Sequence, residues 1–185
     1  MEAALACVAG VAGPTLVDVG TGSGCIAVSL SAERPEARVI GIDVSAAALA
    51  VARRNAERIG VAARIDWRQG DLLAPAADRV GQIDLVASNP PYVDGAQRDT
   101  LAPEVRDHEP ALALFPPGDA YSIYRRLAPQ AFAALRPGGW LLLEVGAGMA
   151  DEVARICAAD GFAIDRIVPD LQAIPRTVVA RKPAS

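Results

Sequence analysis

Residues 15–30 read TLVDVGTGSGCIAVSL, and this stretch decides the fold. The apolar run Thr15–Val19 lies between a proline and a glycine, which is typical of a short buried strand. Three glycines at alternate positions follow it, and Ile26 and Leu30 then recur with helical spacing. The stretch therefore predicts a strand, a glycine loop and a helix in succession.

The same alternation of strand and helix continues along the chain. A second strand over residues 38–42 ends at Asp43, and Ser45 is placed to cap a long helix that stops at Gly60. Further strands are predicted at residues 63–68, 82–87, 140–145, 162–168 and 176–180. Alternating units of this kind predict an α/β protein with a seven-stranded, mostly parallel, doubly wound sheet, in a single domain of residues 1–185.

The second half of the chain holds a long irregular segment between two helices. Residues 93–118 contain four prolines and show no steady period, so we expect a long surface loop. Asp119 is expected to cap a helix that reaches Leu135, bends at Pro129 and ends at residues 137–139. A last helix is predicted over residues 149–159.

Composition limits the classes of function. The chain has 185 residues, of which 52% are apolar, enough for one compact core. Its net charge is −4 and its single lysine is Lys182, which makes duplex nucleic acid a poor partner. Three cysteines (Cys7, Cys25, Cys157) and one histidine (His108) have no metal-like spacing, so we expect neither a zinc site nor a disulfide framework.

The apolar opening of the chain does not have the pattern of a signal peptide. No lysine or arginine precedes it, since the first is Arg34, and Gly10, Gly13 and Pro14 interrupt it. It is also too short to span a bilayer. We therefore expect a cytoplasmic protein with no membrane partner.

The glycine loop and Asp43 indicate a ligand at the carboxyl edge of the sheet. Glycines at alternate positions let a ligand approach the main chain closely. Cys25 stands where the third glycine of the dinucleotide pattern would be, so that pattern is disfavoured. Asp43 follows Gly24 by nineteen residues, at the tip of the second strand, where a carboxylate can accept hydrogen bonds from both ribose hydroxyls.

Asp71 follows the third strand in the same way. Its carboxylate could accept from an exocyclic amino group of adenine, although a plain turn accounts for a Gly-Asp pair equally well.

The segment Asn89-Pro-Pro-Tyr92 is the most specific motif. Two prolines fix the backbone, so that the Asn89 side chain and the Pro90 carbonyl become rigid acceptors, with the flat ring of Tyr92 beside them. Such a clamp suits a planar amino group conjugated to a π system. A glutamine amide and an adenine amino group both meet that description, so the substrate remains open at this point.

Together these motifs resemble those of the class I S-adenosylmethionine-dependent methyltransferases. The motifs are Val17–Gly24, Gly41–Asp43, Gly70–Leu72 and Asn89–Tyr92. Segments further along the chain are similar to those of the HemK-type release-factor glutamine methyltransferases, namely Glu104–Leu112, Leu135–Trp140 and Leu143–Gly146. The resemblance implies a Rossmann-like sheet whose last strand is antiparallel, and methyl transfer to the glutamine of the Gly-Gly-Gln tip of class 1 peptide chain release factors, with no metal.

The resemblance also implies roles for individual residues. The cofactor-binding set would be Asp18, Gly20, Thr21, Gly22, Gly24, Asp43, Asp71, Leu72 and Asn89. Within it, the glycines would line the methionine part of the cofactor above Asp18, Asp43 would hold the ribose, and Asp71 the adenine. The catalytic set would be Asn89 and Pro90, which clamp the amide, and Tyr92, which stacks on it.

Two departures from the family bear on the substrate. Members carry an N-terminal helical domain, whereas only residues 1–14 precede the first strand here, so we expect a catalytic-domain form or a shortened paralogue, with a partner subunit as a possible replacement. Residues 116–121 also differ from the family's pattern. His108 could act as a general base but is more simply a surface residue, and Glu109 has no assigned role.

Two other functions remain open. One is methylation of adenine in RNA or DNA, because the clamp accepts either amino group. The other is a non-catalytic module that binds the cofactor and serves as a partner subunit.

Overall fold

The computed structural model describes residues 1–92 and 119–184. Its strands are β1 (Thr15–Val19), β2 (Arg38–Asp43), β3 (Ile65–Gln69), β4 (Ile83–Ser88), β5 (Leu135–Glu144), β6 (Ala163–Pro169) and β7 (Pro175–Arg181). Its α-helices are α1 (Glu2–Cys7), α2 (Cys25–Glu33), α3 (Ala46–Ile59), α4 (Ser122–Ala134) and α5 (Ala150–Ala159). Two 3₁₀ turns, Ala62–Arg64 and Ala74–Arg79, flank β3.

The strands form one sheet in the order β3-β2-β1-β4-β5-β7-β6. The first five strands are parallel, and β7 runs antiparallel to both β5 and β6. The predicted seven-stranded sheet with an antiparallel last strand is confirmed. The order reverses at β1, so the switch point of the sheet lies between β1 and β4, where ligands bind in open α/β sheets.

Helices cover both faces of the sheet and enclose two apolar cores. On one face, α4 and α5 pack Tyr124, Leu127 and Val153 onto the sheet. On the other, α1 and α2 contribute Ala4, Val8 and Leu30, among other residues. None of the helices in the described ranges is long and apolar enough to cross a membrane.

Most elements begin and end where local signals predict. Ser45 caps α3 by accepting a hydrogen bond from the Ala48 N–H at 3.2 Å, and Gly60 ends it in the left-handed conformation. The sequence did not indicate α1, which has only six residues and depends on burial of Ala4 and Val8 rather than on a helical pattern.

The start and end of α4 correct the sequence interpretation. Asp119 is not its cap, because Tyr121 holds that position and Asp119 accepts the Tyr121 N–H at 2.9 Å, before the helix begins. Pro129 lies within α4 on its exposed side. The helix ends at Ala134, and the residues expected to terminate it belong instead to the start of β5, where Leu135 pairs with Ile83 across an irregular register. The predicted loop over residues 93–118 lies outside the described residues.

Trp67 connects the sheet to the glycine loop. It is the strand partner of Gly41, and a Cβ built on Gly41 would lie 2.4 Å from its ring. A Cβ on Gly24 would likewise lie 3.1 Å from the ring and 2.9 Å from the Ala52 Cβ. Gly24 and Gly41 therefore leave the space that the indole fills, and the indole supports the far end of the loop.

We expect Gly41→Ala to destabilise the fold by about 1–3 kcal/mol, because the methyl group would overpack the indole. Urea denaturation would measure the loss, and it should be smaller when Trp67→Leu removes the obstacle. Gly10→Ala is the control, since a Cβ there would meet no atom of the described residues within 4 Å. A Gly41→Ala variant with the stability of the control would contradict this packing.

Candidate active site

The predicted site residues lie along one edge of the sheet. The glycine loop follows β1, Asp43 ends β2, and Asp71 and Asn89 follow β3 and β4. Since β3, β2, β1 and β4 are neighbours in that order, their carboxyl ends form a continuous row. The sheet thus brings together the residues that the sequence placed at the end of each strand.

Three hydrogen bonds join the ends of these strands. The Thr21 N–H donates to the Ile42 carbonyl at 2.9 Å, and the Gly70 N–H donates to the Asp43 carbonyl at 3.0 Å. The buried Ser88 hydroxyl donates to the Val19 carbonyl at 2.7 Å. The first two bonds lie just past the regular pairing of the strands, and the third adds a side-chain bond to the last pair of β1 and β4, Val19 and Ser88.

Asp18 supports the glycine loop from inside the protein. Only 1% of its surface is exposed, and its Oδ2 accepts from the Thr21 hydroxyl at 2.6 Å and from the Ala27 N–H at 3.0 Å. Desolvation raises the pKa of this carboxyl to about 6, although both hydrogen bonds act to lower it. Thr21 is also buried, and its hydroxyl is committed to Asp18, so these two residues shape the loop.

Asp43 fastens the loop to β2 from the ligand side. Its Oδ2 accepts from the Gly22 N–H and its Oδ1 from the Ser45 N–H, both at 2.8 Å. Each carboxylate oxygen can accept more than one hydrogen bond, so both can still receive a ligand hydroxyl. The side chain is half-buried, which leaves that approach open.

The three loop glycines have different surroundings. Gly20 and Gly22 both have left-handed φ values, +69° and +56°. Among residues 1–92 and 119–184, a Cβ on Gly20 would meet nothing within 4 Å, and one on Gly22 would meet only the Gly20 carbonyl, at 4.0 Å. The open space therefore lies above these two glycines, whereas Gly24 faces Ala52 and Trp67.

The end of β3 is held by α4. Asp71 forms an ion pair with Arg126, and the Leu73 N–H donates to Gln130 Oε1 at 3.2 Å. Between them, Leu72 is buried with a left-handed φ of +49°. Sequence reasoning missed Arg126, because nothing in the pattern of α4 shows which of its exposed arginines reaches residue 71.

The Asn-Pro-Pro-Tyr segment leaves the sheet at the switch point. Asn89 is exposed, Pro90 is buried and Tyr92 is half-buried against the core that α4 and α5 cover. Since Val19 and Ser88 are strand partners, the exposed Asn89 and the glycine loop leave the sheet side by side, and the buried Pro90 anchors the backbone after Asn89. His108, Glu109 and the segments 104–112 and 116–118 lie outside the described residues. Within residues 1–92 and 119–184, no three His, Cys, Asp or Glu side chains lie together as metal ligands would.

Comparison with known proteins identifies the family. Residues 5–109 match the family described as Methyltransferase small domain. The chain belongs to this family.

Relatives of this family member carry a more specific name. The release factor glutamine methyltransferase of Cereibacter sphaeroides is 51% identical over 92% of this chain and 60% of its own length. That of Koribacter versatilis is 44% identical over 92% of this chain and 59% of its own length. These identities confirm the resemblance seen in the motifs. The chain spans about 60% of the length of these curated relatives.

A solved structure agrees with the fold. The RNA methyltransferase from Salinibacter ruber, in complex with S-adenosyl-L-homocysteine, has a TM-score of 0.62 with 22% identity, over all of this chain and 90% of its own. At that identity the likeness concerns the fold, which is the class I methyltransferase fold expected from the sequence.

The buried carboxyl of Asp18 should make stability fall with rising pH. Between its ordinary pKa of 3.8 and its raised pKa of about 6, the folded state keeps a proton that the unfolded state has released. Wild-type stability relative to Asp18→Asn should therefore decrease by about 3 kcal/mol from about pH 4 to pH 6 and stay constant above, at about 1.4 kcal/mol per pKa unit. Urea denaturation at a series of pH values would measure it.

Asp151→Asn, which removes an exposed carboxylate in α5, is the control for loss of a charge. Parallel stability curves for wild type and Asp18→Asn would show that the Asp18 carboxyl titrates normally.

Proposed function

We propose that this protein uses S-adenosylmethionine to methylate the side-chain nitrogen of the glutamine in the Gly-Gly-Gln motif of peptide chain release factors. The observation that carries the proposal is the display of Asn89 at the switch point, next to open space above Gly20 and Gly22. The names of relatives at 51% and 44% identity support the choice of substrate.

The residues at the edge of the sheet fit the cofactor. Open space above two left-handed glycines suits its methionine part, and the remaining acceptor capacity of Asp43 suits ribose hydroxyls. Asp71 and the buried backbone at Leu72 would form the adenine end. When bound there, S-adenosylmethionine supplies a methyl group on a positively charged sulfur, which is already an electrophile.

The protein's contribution to the reaction would be positioning. The Asn89 side-chain carbonyl and the Pro90 carbonyl would each accept one hydrogen of the glutamine amide, and the Tyr92 ring would lie against its plane. This arrangement turns the nitrogen toward the glycine loop and fixes the distance of attack. Positioning of this kind supplies up to about 7–11 kcal/mol in favourable cases.

Methylation of adenine in RNA or DNA uses the same clamp and is the alternative outcome. Acidic residues outnumber basic ones by 22 to 18, which disfavours a polyanionic substrate. A non-catalytic cofactor-binding subunit is the other alternative, and it predicts binding without turnover. The cytoplasmic location and a partner subunit remain predictions.

Asp43→Ala should weaken S-adenosylmethionine binding by about 1.5–3 kcal/mol, the range for hydrogen bonds to a charged group. Calorimetry would measure the affinity, with Asp151→Ala as the control for charge. An analogue that lacks the ribose hydroxyls separates loss of the ribose hydrogen bonds from loss of support for the loop. Compared with the cofactor, the analogue should bind the wild type more weakly but should bind Asp43→Ala almost as well. If Asp43→Ala weakens the binding of cofactor and analogue equally, Asp43 acts only by holding the loop.

With release factor, tRNA, rRNA and DNA offered separately, the protein should add one methyl group to the Gly-Gly-Gln glutamine, detected by mass spectrometry. Asn89→Ala should cut the rate by about a hundredfold or more while leaving cofactor affinity nearly intact, because the main role of Asn89 is to orient the nucleophile. Gln172→Ala, at an exposed position in the loop before β7, is the matched control.

Three results would count against the proposal. Methyl label on adenine with the glutamine untouched would favour the alternative substrate. Binding without transfer to any substrate would favour the non-catalytic module. A joint loss of affinity and rate in Asn89→Ala would make Asn89 a structural residue.

A further inference from the structure

Gly146, two residues past the end of β5, lies against the aromatic ring of Tyr92. A Cβ built on Gly146 would be 3.0 Å from Tyr92 Cδ2 and 3.5 Å from Cε2. It would also be 2.8 Å from the sulfur of Met149. Both carbon distances are measured to the ring itself, so the ring packs directly onto the Gly146 backbone.

The backbone of Gly146 does not require glycine. Its φ is not among the positive values, unlike those of Gly20, Gly22 and Gly148. Any residue could adopt this conformation. The lack of a side chain at residue 146 is therefore needed for the contact with the Tyr92 ring and not for the backbone conformation. Gly146 is itself buried, and the Met149 side chain closes the other side of the position. A methyl group there would press on both neighbours, the flexible thioether of Met149 and the Tyr92 ring.

The ring occupies a defined depth because the backbone before it is fixed and the core packs against it. Pro90 and Pro91 fix the backbone leading to Tyr92, and Pro90 is buried. The ring packs against the core under α4 and α5 and remains half-exposed. The contact with Gly146 is therefore one of the contacts that set the position of the ring.

We propose that Gly146 is a positioning residue: its missing side chain seats the Tyr92 ring at the depth at which the ring can stack on the substrate's amide plane. This inference rests on the proposed function, in which Tyr92 contacts the amide. A side chain at residue 146 raises the ring by a few tenths of an ångström into the space of the amide and misaligns the nitrogen. The cost falls on the rate of transfer and on substrate binding, and not on the cofactor.

Gly146→Ala should lower kcat for methylation of the release factor about tenfold, since small errors of alignment are costly for positioned groups. Affinity for S-adenosylmethionine, measured by calorimetry, should stay within twofold of wild type. Gly10→Ala should leave both quantities unchanged, because a Cβ there meets none of the described atoms within 4 Å.

A double-mutant cycle with Tyr92→Leu tests whether the effect passes through the ring. Once the ring is gone, adding Gly146→Ala should change kcat less than twofold. If the double variant loses kcat by the product of the two single effects, Gly146 does not act through the Tyr92 ring, and the proposal is overturned.

Nuclear magnetic resonance of ¹³C-labelled tyrosine rings reports the position of the Tyr92 ring against Gly146 without any substrate. Gly146→Ala should shift the ring signals of Tyr92 and leave those of Tyr121 in place. Unmoved Tyr92 signals together with wild-type kcat would overturn the inference while leaving the proposed function intact. If the Tyr92 signals shift but the protein does not methylate the release factor, the packing of the ring on Gly146 is supported and the proposed function is refuted.

Discussion

A buried carboxylate joins the first strand to the glycine loop and to the helix after it. Asp18 lies within β1, its oxygen accepts from the Thr21 hydroxyl in the loop, and the same oxygen accepts the Ala27 N–H in the first turn of α2. Burial of a charge is costly unless hydrogen bonds compensate for it, and here the two bonds offset only part of the cost, since the pKa of Asp18 is raised to about 6. Asp18 therefore determines the path of the chain here although burial disfavours its charged form. Gly20 and Gly22 can present an open surface because this path is fixed beneath them.

The rest of the site depends on that fixed loop. Asp43 reaches the loop from the next strand through the Gly22 N–H, and Ser88 ties the end of β4 to the end of β1. Asn89 follows Ser88 directly. The separation between Asn89 and the glycine loop is therefore fixed by the Ser88 hydroxyl bond and by the pairing of β1 with β4. A site that works by positioning needs such a short, rigid connection between the group that holds the cofactor and the group that holds the substrate.

Local signals in the sequence predicted much of this arrangement, and long-range contacts account for what they missed. Ser45 and Gly60 act on their own neighbours, so both ends of α3 could be predicted. The row of polar residues followed from a rule about parallel strands and needed no knowledge of packing. By contrast, α1 forms only because a sheet lies under it. The assignment of Asp119 as a cap was wrong because an aspartate two residues before the cap position, Tyr121, makes a similar hydrogen bond without being the cap.

The glycines show the same limit. Gly20, Gly22 and Gly24 are alike in sequence, yet two face open space and the third faces Ala52 and Trp67, which belong to elements far along the chain. Gly146 likewise has no local signal, because its role comes from Tyr92, 54 positions earlier in the chain.

The two ends of the site differ in how firmly they are held. At the loop, buried or half-buried acceptors receive backbone donors, and breaking one leaves a group without a partner in the interior. At the far end, Asp71 and Arg126 are both about half exposed, and ion pairs of this kind contribute about 0–1 kcal/mol. Under the proposed function, an amino group approaching Asp71 exchanges one exposed partner for another at little cost. Under the same proposal, the free energy that discriminates between ligands would reside at Asp43 and the glycine loop, where the structure leaves acceptors and space but no competing side chain among the residues described.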